Sequence, residues 1–80
     1  MSKIYILTED KQWGVRILLD WVVSEFKYTK DETEQGRWRM RISFLEALQR
    51  KTHYNNTDKI YYNKIRAEYL HFKKYEEPTP

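Results

Sequence analysis

The chain has 80 residues, no cysteine and a formal net charge of +3, from 15 basic and 12 acidic side chains. Eighty residues can build one hydrophobic core, so we expect a single domain spanning residues 1–80. Without cysteine, the chain can form neither a disulfide scaffold nor a thiolate zinc site. Aromatic side chains make up 16% of the residues, which is too many for a disordered segment despite the charged fraction of 34%.

The charge is distributed unevenly along the chain. Residues 1–34 have a net charge of −2, whereas residues 35–75 contain ten basic and three acidic side chains, a net of +7. The last five residues add −2. This asymmetry hints at a polyanionic partner for the second half. The longest apolar run, residues 17–23, is interrupted by Asp20 and is too short to span a membrane, so we expect a soluble cytoplasmic protein.

The first predicted elements are an extended segment at residues 1–7 and a helix at about residues 9–27. Thr8 is the candidate N-cap, because its hydroxyl can accept a hydrogen bond from a free N–H group of the first turn. Apolar residues then recur at helical spacing in two neighbouring stripes, which predicts a central helix that packs on two sides. The stripes consist of Val15, Leu19, Val22 and Phe26, widened by Leu18, and of Trp13, Ile17 and Trp21.

The stretch from residue 37 to residue 44 fits two structures. Asp31 followed by Glu34 resembles a capping box, which predicts a second helix from about residue 32 to residue 51. Strict alternation of apolar and polar side chains predicts a strand instead, with Trp38, Met40, Ile42 and Phe44 on one face and Arg37, Arg39, Arg41 and Ser43 on the other. Such a strand needs a partner, for which residues 4–7 and 26–30 are the local candidates.

A third helix is predicted at about residues 57–76, with Asn55 or Thr57 as its N-cap. Its apolar stripe consists of Tyr61, Ile65, Tyr69 and Phe72, joined by Tyr62. Residues 76–80 are acidic and proline-containing and should form a frayed tail. The expected fold is therefore a mainly α, compact three-helix domain. The alternative is an α+β fold in which residues 3–7 and 37–44 contribute a short β element.

The sequence contains no catalytic or metal-binding motif. The serines lie outside any nucleophile-elbow pattern, the two glycines form no phosphate-binding loop, and His53 and His71 lack metal-ligand spacing. The acidic residues at 31–34 do not match a calcium loop and fit a helix start better. We predict a non-enzymatic protein without a cofactor, a metal or a small-molecule substrate.

The basic side chains of the second half are the candidate binding surface. A row of guanidinium groups beside an aromatic ring can hold phosphates while the ring stacks on a base. On a strand the three arginines at 37–41 would share one face, whereas on a helix Arg39 would point away from the other two. Lys59, Arg66 and Lys73 recur every seven residues and share another helix side. We therefore expect nucleic-acid backbone contact through Arg37, Trp38, Arg39, Arg41, Lys59, Arg66 and Lys73.

The alternative function is protein–protein interaction, without membrane contact. Ten of the thirteen aromatic residues are Trp or Tyr, which are enriched at binding hot spots. The same basic and aromatic surface could dock into an acidic protein groove, as in an accessory subunit or an inhibitor of the kind that mobile elements encode. Exposed Trp and Tyr side chains could also form a homodimer. The simplest alternative is that both basic rows are solvated faces without a partner.

Overall fold

The computed structural model describes the backbone of residues 3–76 and the side chains of residues 3–74. In chain order the elements are β1 (Ile4–Ile6), α1 (Glu9–Tyr28), α2 (Glu32–Gln49), β2 (His53–Asn55) and α3 (Asn56–Glu76). The described chain is thus mainly α, as predicted, with a two-stranded antiparallel sheet. Among the described helices, none combines the length and the apolar character that crossing a membrane requires.

Side-chain caps begin α1 and α2 at the predicted positions. Thr8 Oγ1 accepts a hydrogen bond from the Lys11 N–H at 3.3 Å. Asp31 Oδ2 accepts one from the Glu34 N–H at 3.1 Å. These bonds satisfy first-turn donors that have no partner within the helix. The acidic residues at 31–34 therefore form the N-terminus of α2, as the sequence predicted.

The start of α3 is capped in both directions. Asn55 Oδ1 accepts from the Asp58 N–H at 2.8 Å, while Asp58 Oδ2 accepts from the Asn55 N–H at 3.3 Å. This reciprocal pattern is a capping box and identifies Asn55, rather than Thr57, as the N-cap. At the other end α3 extends to Glu76, and the rest of the predicted tail at 76–80 lies outside the described residues.

The strand interpretation of residues 37–44 is wrong, because this stretch lies within α2. β1 pairs instead with β2, a segment for which no strand was predicted, in the register Ile4 with Asn55, Tyr5 with Tyr54 and Ile6 with His53. Helical spacing places Trp38, Ile42 and Leu45 on the core side of α2, whereas Met40 from the alternating set remains 65% exposed. The core therefore uses the helical period of this stretch and not its alternation.

The core is formed by one side of each described helix and the inner face of the sheet. Tyr62 of α3 lies against Gly14 of α1, and seven residues later on both helices Tyr69 contacts Trp21. The helix α3 therefore runs in the same direction as α1. The most extensive helix contact is between α1 and α2, which are joined by residues 29–31. The buried cluster consists of Leu7, Val15, Leu18, Val22, Leu45, Leu48, Tyr54, Tyr62 and Ile65.

The second apolar stripe of α1 is not buried as the two-sided prediction requires. Trp13 is 63% exposed and Ile17 is 49% exposed, whereas Trp21 packs against the core. The physical reason is the shape of the molecule, which measures 42 × 35 × 19 Å. A thickness of 19 Å corresponds to about two helix layers, so α1 has neighbours on one side only.

Candidate functional site

Arg41 of the predicted binding surface is held by a salt bridge between α2 and α3. Its guanidinium donates to both carboxylate oxygens of Glu68, at 3.2 Å from Nε and 3.0 Å from Nη2. The same group lies 4.6 Å from the centre of the Trp38 ring. Because the Arg41 side chain is only 18% exposed and its charge is matched, it acts as a link between two helices.

The other two arginines of α2 have partners on different elements. Arg37 pairs with Glu34 one turn earlier at 3.1 Å, in an exposed ion pair. The Arg39 guanidinium lies 5.7 Å from the ring centre of Phe26 in α1. An exposed ion pair contributes less than about 1 kcal/mol, so Arg37 can exchange its partner for a phosphate. The structure nevertheless does not bring the three arginines together on one surface.

Trp38, predicted to stack on a base, packs within the protein. Its ring meets Trp21 of α1 edge-on at a centroid distance of 5.4 Å, and the Arg41 guanidinium lies over the ring. The side chain is partly buried against the core. These contacts make Trp38 a packing residue at the junction of the helices.

The cations of α3 form no salt bridge within the described residues. Along residues 3–74 the salt bridges join Arg37 to Glu34, Arg41 to Glu68 and Lys51 to Asp58. Five cations of α3 therefore have no carboxylate partner in that part of the protein. We call them the α3 basic surface, in which three cations share one side of the helix and two are turned away from it: Lys59, Arg66 and Lys73, and Lys64 and Lys74.

Three members of the α3 basic surface form the row that the sequence predicted. Lys59, Arg66 and Lys73 follow one side of the helix over about 21 Å, at 1.5 Å per residue. The Lys59 ammonium lies 4.6 Å from the ring centre of Tyr5, and that of Lys73 lies 5.9 Å from the ring centre of Tyr69. A ring below an ammonium group orients it without neutralising its charge.

Arg66 also influences a buried hydroxyl. Burial raises the pKa of the Tyr62 hydroxyl above its ordinary value, and the positive charges of Lys11 and Arg66 offset only part of this increase. Lys11 in turn donates a hydrogen bond to the Tyr54 hydroxyl at 2.9 Å. Tyr62 thus packs α3 against α1, and the Lys11–Tyr54 hydrogen bond joins α1 to β2.

A groove that is apolar and acidic, unlike the α3 basic surface, lies between α1, α2 and α3. It has a volume of about 750 Å³ and an aromatic floor where Trp21 contacts Phe72 at 5.5 Å. The Trp21 Nε1–H group is buried and has no hydrogen-bond partner in the described part of the chain. The complete lining is Trp21, Glu25, Trp38, Ala67, Glu68, His71 and Phe72.

Sequence reasoning missed this groove because its residues come from three helices and share no short spacing. Two carboxylates, Glu25 and Glu68, lie on its lining. Its apolar and acidic character does not suit a phosphate group. In residues 3–74, including this groove, no three His, Asp or Glu side chains are placed to hold a metal ion. Comparison with protein-family models, with curated proteins and with solved structures found no match to this chain.

Proposed function

We propose that the protein is a non-enzymatic module that binds the phosphate backbone of nucleic acid through the α3 basic surface. The observation that carries this proposal is the set of five cations on one helix without a carboxylate partner among the described residues. Phosphate contact would give such cations the counterions that the folded chain does not supply.

The geometry of the row supports a polymer with repeated charges as the ligand. Lys59, Arg66 and Lys73 are about 10 Å apart along the helix, since seven residues rise about 10.5 Å. Duplex DNA carries one negative charge per about 1.7 Å of its axis, so each cation of the row finds phosphates within reach. Lysine and arginine contacts of this kind position the protein and do not read bases. We therefore expect little sequence preference.

The arginines of α2 have a smaller part in this proposal than the sequence pattern suggested. Arg37 and Arg39 are exposed and can add contacts, whereas Arg41 is committed to Glu68. Trp38 is packed against Trp21 and is not assigned a stacking role. The binding energy is thus assigned mainly to phosphate contacts of α3.

The proposal is tested by measuring the affinity for fluorescent duplex DNA and RNA as a function of salt. The logarithm of the association constant should fall linearly with that of the salt concentration, by about 0.9 per phosphate contact on duplex DNA. Replacing Lys59, Arg66 and Lys73 by Gln should lower the slope by about 2.7. A matched control replaces three cations that lie outside α3, namely Lys27, Lys30 and Arg50. Each is replaced by Gln, so the control loses the same charge.

Two results would count against nucleic-acid binding. One is negligible affinity for DNA and RNA at about 50 mM salt, where phosphate contacts are strong. The other is an equal loss of slope in the α3 variant and in the control, which would assign the binding to net charge alone. Capture of a stoichiometric protein from nuclease-treated lysate by wild type, but not by the α3 variant, would favour docking into an acidic protein groove instead.

A further inference from the structure

β1 has one paired edge and one open edge in the described residues. The Leu7 N–H donates to the Thr52 carbonyl at 2.8 Å, which continues the register of the sheet by one residue. In an antiparallel pair, hydrogen-bonded and non-hydrogen-bonded positions alternate. Tyr5 therefore exchanges hydrogen bonds with Tyr54, while the backbone N–H and C=O groups of Ile4 and Ile6 point away from β2.

At the outer edge of β2 the start of α3 satisfies one backbone group. Asn55 at the end of β2 donates its N–H to the Asp58 carboxylate, and α3 begins at the next residue. No strand of the described residues lies beside the outer edge of β1. An open edge is a template for pairing with another extended chain.

The side chains at this edge are apolar and exposed. Ile4 is 70% exposed and Ile6 is 69% exposed, on the face opposite to the stacked rings of Tyr5 and Tyr54. Both isoleucines lie on one face, since side chains of a strand alternate. The edge thus offers four backbone groups and two isoleucines side by side.

We propose that β1 pairs with β1 of a second copy, in an antiparallel register with Tyr5 opposite the Tyr5 of the other molecule. In this register each Ile4 is opposite an Ile6, and their outward groups exchange four hydrogen bonds in total. The two sheets become one sheet of four strands. The four isoleucines then pack against one another on the face of this sheet that is opposite to the tyrosines.

A second copy fits this edge because the edge is complementary to itself. A two-fold axis through Tyr5 matches the donors and acceptors of Ile4 with those of Ile6. The Lys59 ammonium lies over the Tyr5 ring, on the face opposite to the isoleucines. β1 itself carries no charge. Lys3, just before it, would be opposite Leu7, so the two Lys3 residues would be separated by four strand positions, about 14 Å. This distance exceeds the Debye length of about 10 Å at 0.1 M salt, so repulsion between them is screened.

The dimer should be concentration-dependent, because three residues per strand bury less area than a standard interface of about 1,600 Å². Sedimentation of the wild type should show the mass rise from 10.0 kDa towards twice that value as the concentration increases. The double variant Ile4→Lys, Ile6→Lys should stay monomeric with an unchanged helical circular dichroism spectrum, since both side chains are exposed. These masses are measured without nucleic acid, so the result is independent of the proposed function.

The register is tested by oxidative cross-linking, which the absence of natural cysteine makes clean. Positions 4 and 6 of opposite copies would have Cβ atoms about 5 Å apart, whereas identical positions would be diagonal neighbours at about 7–8 Å. A mixture of Ile4→Cys and Ile6→Cys proteins should therefore cross-link several-fold faster than either protein alone. Met40→Cys, exposed on α2, gives the rate of random collision.

The proposal is overturned if the wild type remains at 10.0 kDa up to about 1 mM, a range in which even weak association with a free energy of about −4 kcal/mol is detected. It is also overturned if the mixed cysteine proteins cross-link no faster than the Met40→Cys control. A dimer that persists in the double lysine variant would place the interface elsewhere on the molecule.

Discussion

Trp21 is the residue at which packing and hydrogen bonding conflict most directly. Its ring contacts Trp38, Tyr69 and Phe72 at 5.4–5.5 Å, while its buried Nε1–H has no partner in the described chain. A buried donor without a partner costs about 1–3 kcal/mol, whereas the aromatic contacts stabilise the fold.

Trp21→Phe should therefore leave the free energy of unfolding within about 1 kcal/mol of wild type, because removal of the unpaired donor offsets the smaller ring. Trp21→Ala should lower it by about 3 kcal/mol through loss of the aromatic contacts. Urea denaturation followed by circular dichroism measures both values. A loss for Trp21→Phe as large as that for Trp21→Ala would mean that the indole N–H is paired in solution.

Tyr62 gives a second prediction at the level of single residues. Because burial raises the pKa of its hydroxyl, the folded state favours the neutral form. This contribution is fully present below the unfolded pKa of about 10 and is lost as the pH rises through the folded pKa. Wild type should thus lose stability above about pH 10 more steeply than Tyr62→Phe. Urea unfolding at a series of pH values checks this, and equal slopes would contradict it.

At the level of elements, the two glycines of the chain provide a matched comparison. Both lie inside helices, where alanine is favoured by about 1 kcal/mol. At Gly36 a Cβ atom would have no neighbour within 4 Å, whereas at Gly14 it would clash with the Tyr62 hydroxyl. Gly14 therefore permits the close approach of α3 to α1.

Gly36→Ala should raise the free energy of unfolding by up to about 1 kcal/mol. Gly14→Ala should lower it by about 1–3 kcal/mol, because Tyr62 is buried and must move. Adding Tyr62→Phe to Gly14→Ala removes the clashing atom and should restore part of the loss. Thermal and urea unfolding measure all three variants. Equal effects at the two glycines would show that Tyr62 does not pack on Gly14.

The helix boundaries show why elements could be predicted from local sequence. The bonds that Thr8 accepts from the Lys11 N–H and that Asp31 accepts from the Glu34 N–H each span three residues. The strand alternation at 37–44 misled for the same local reason, since a two-residue period is visible in the sequence whether or not a partner strand exists. The actual partner of β1, at residues 53–55, has no such alternation of apolar side chains.

At the level of the whole molecule, the flattened shape leaves one side of α1 uncovered. Trp13 and Ile17 are one helical turn apart on that side and are both exposed. Trp13→Gln combined with Ile17→Gln should change the free energy of unfolding by no more than about 0.5 kcal/mol per site. Urea denaturation at low protein concentration makes the measurement. A loss above about 2 kcal/mol would mean that this side is covered in solution.

The amino-acid sequence by itself determined the helical class, the helix starts and the basic row of α3, because caps and periodicity depend on residues at most seven apart. Only the tertiary structure decided which charges are matched between different helices. Arg41 and Glu68 are 27 residues apart, and the groove joins residues 25 and 71. Such pairs depend on how helices pack, which local spacing does not encode. The row of Lys59, Arg66 and Lys73 forms no salt bridge within the described residues, and this too follows from how the helices pack and not from local spacing.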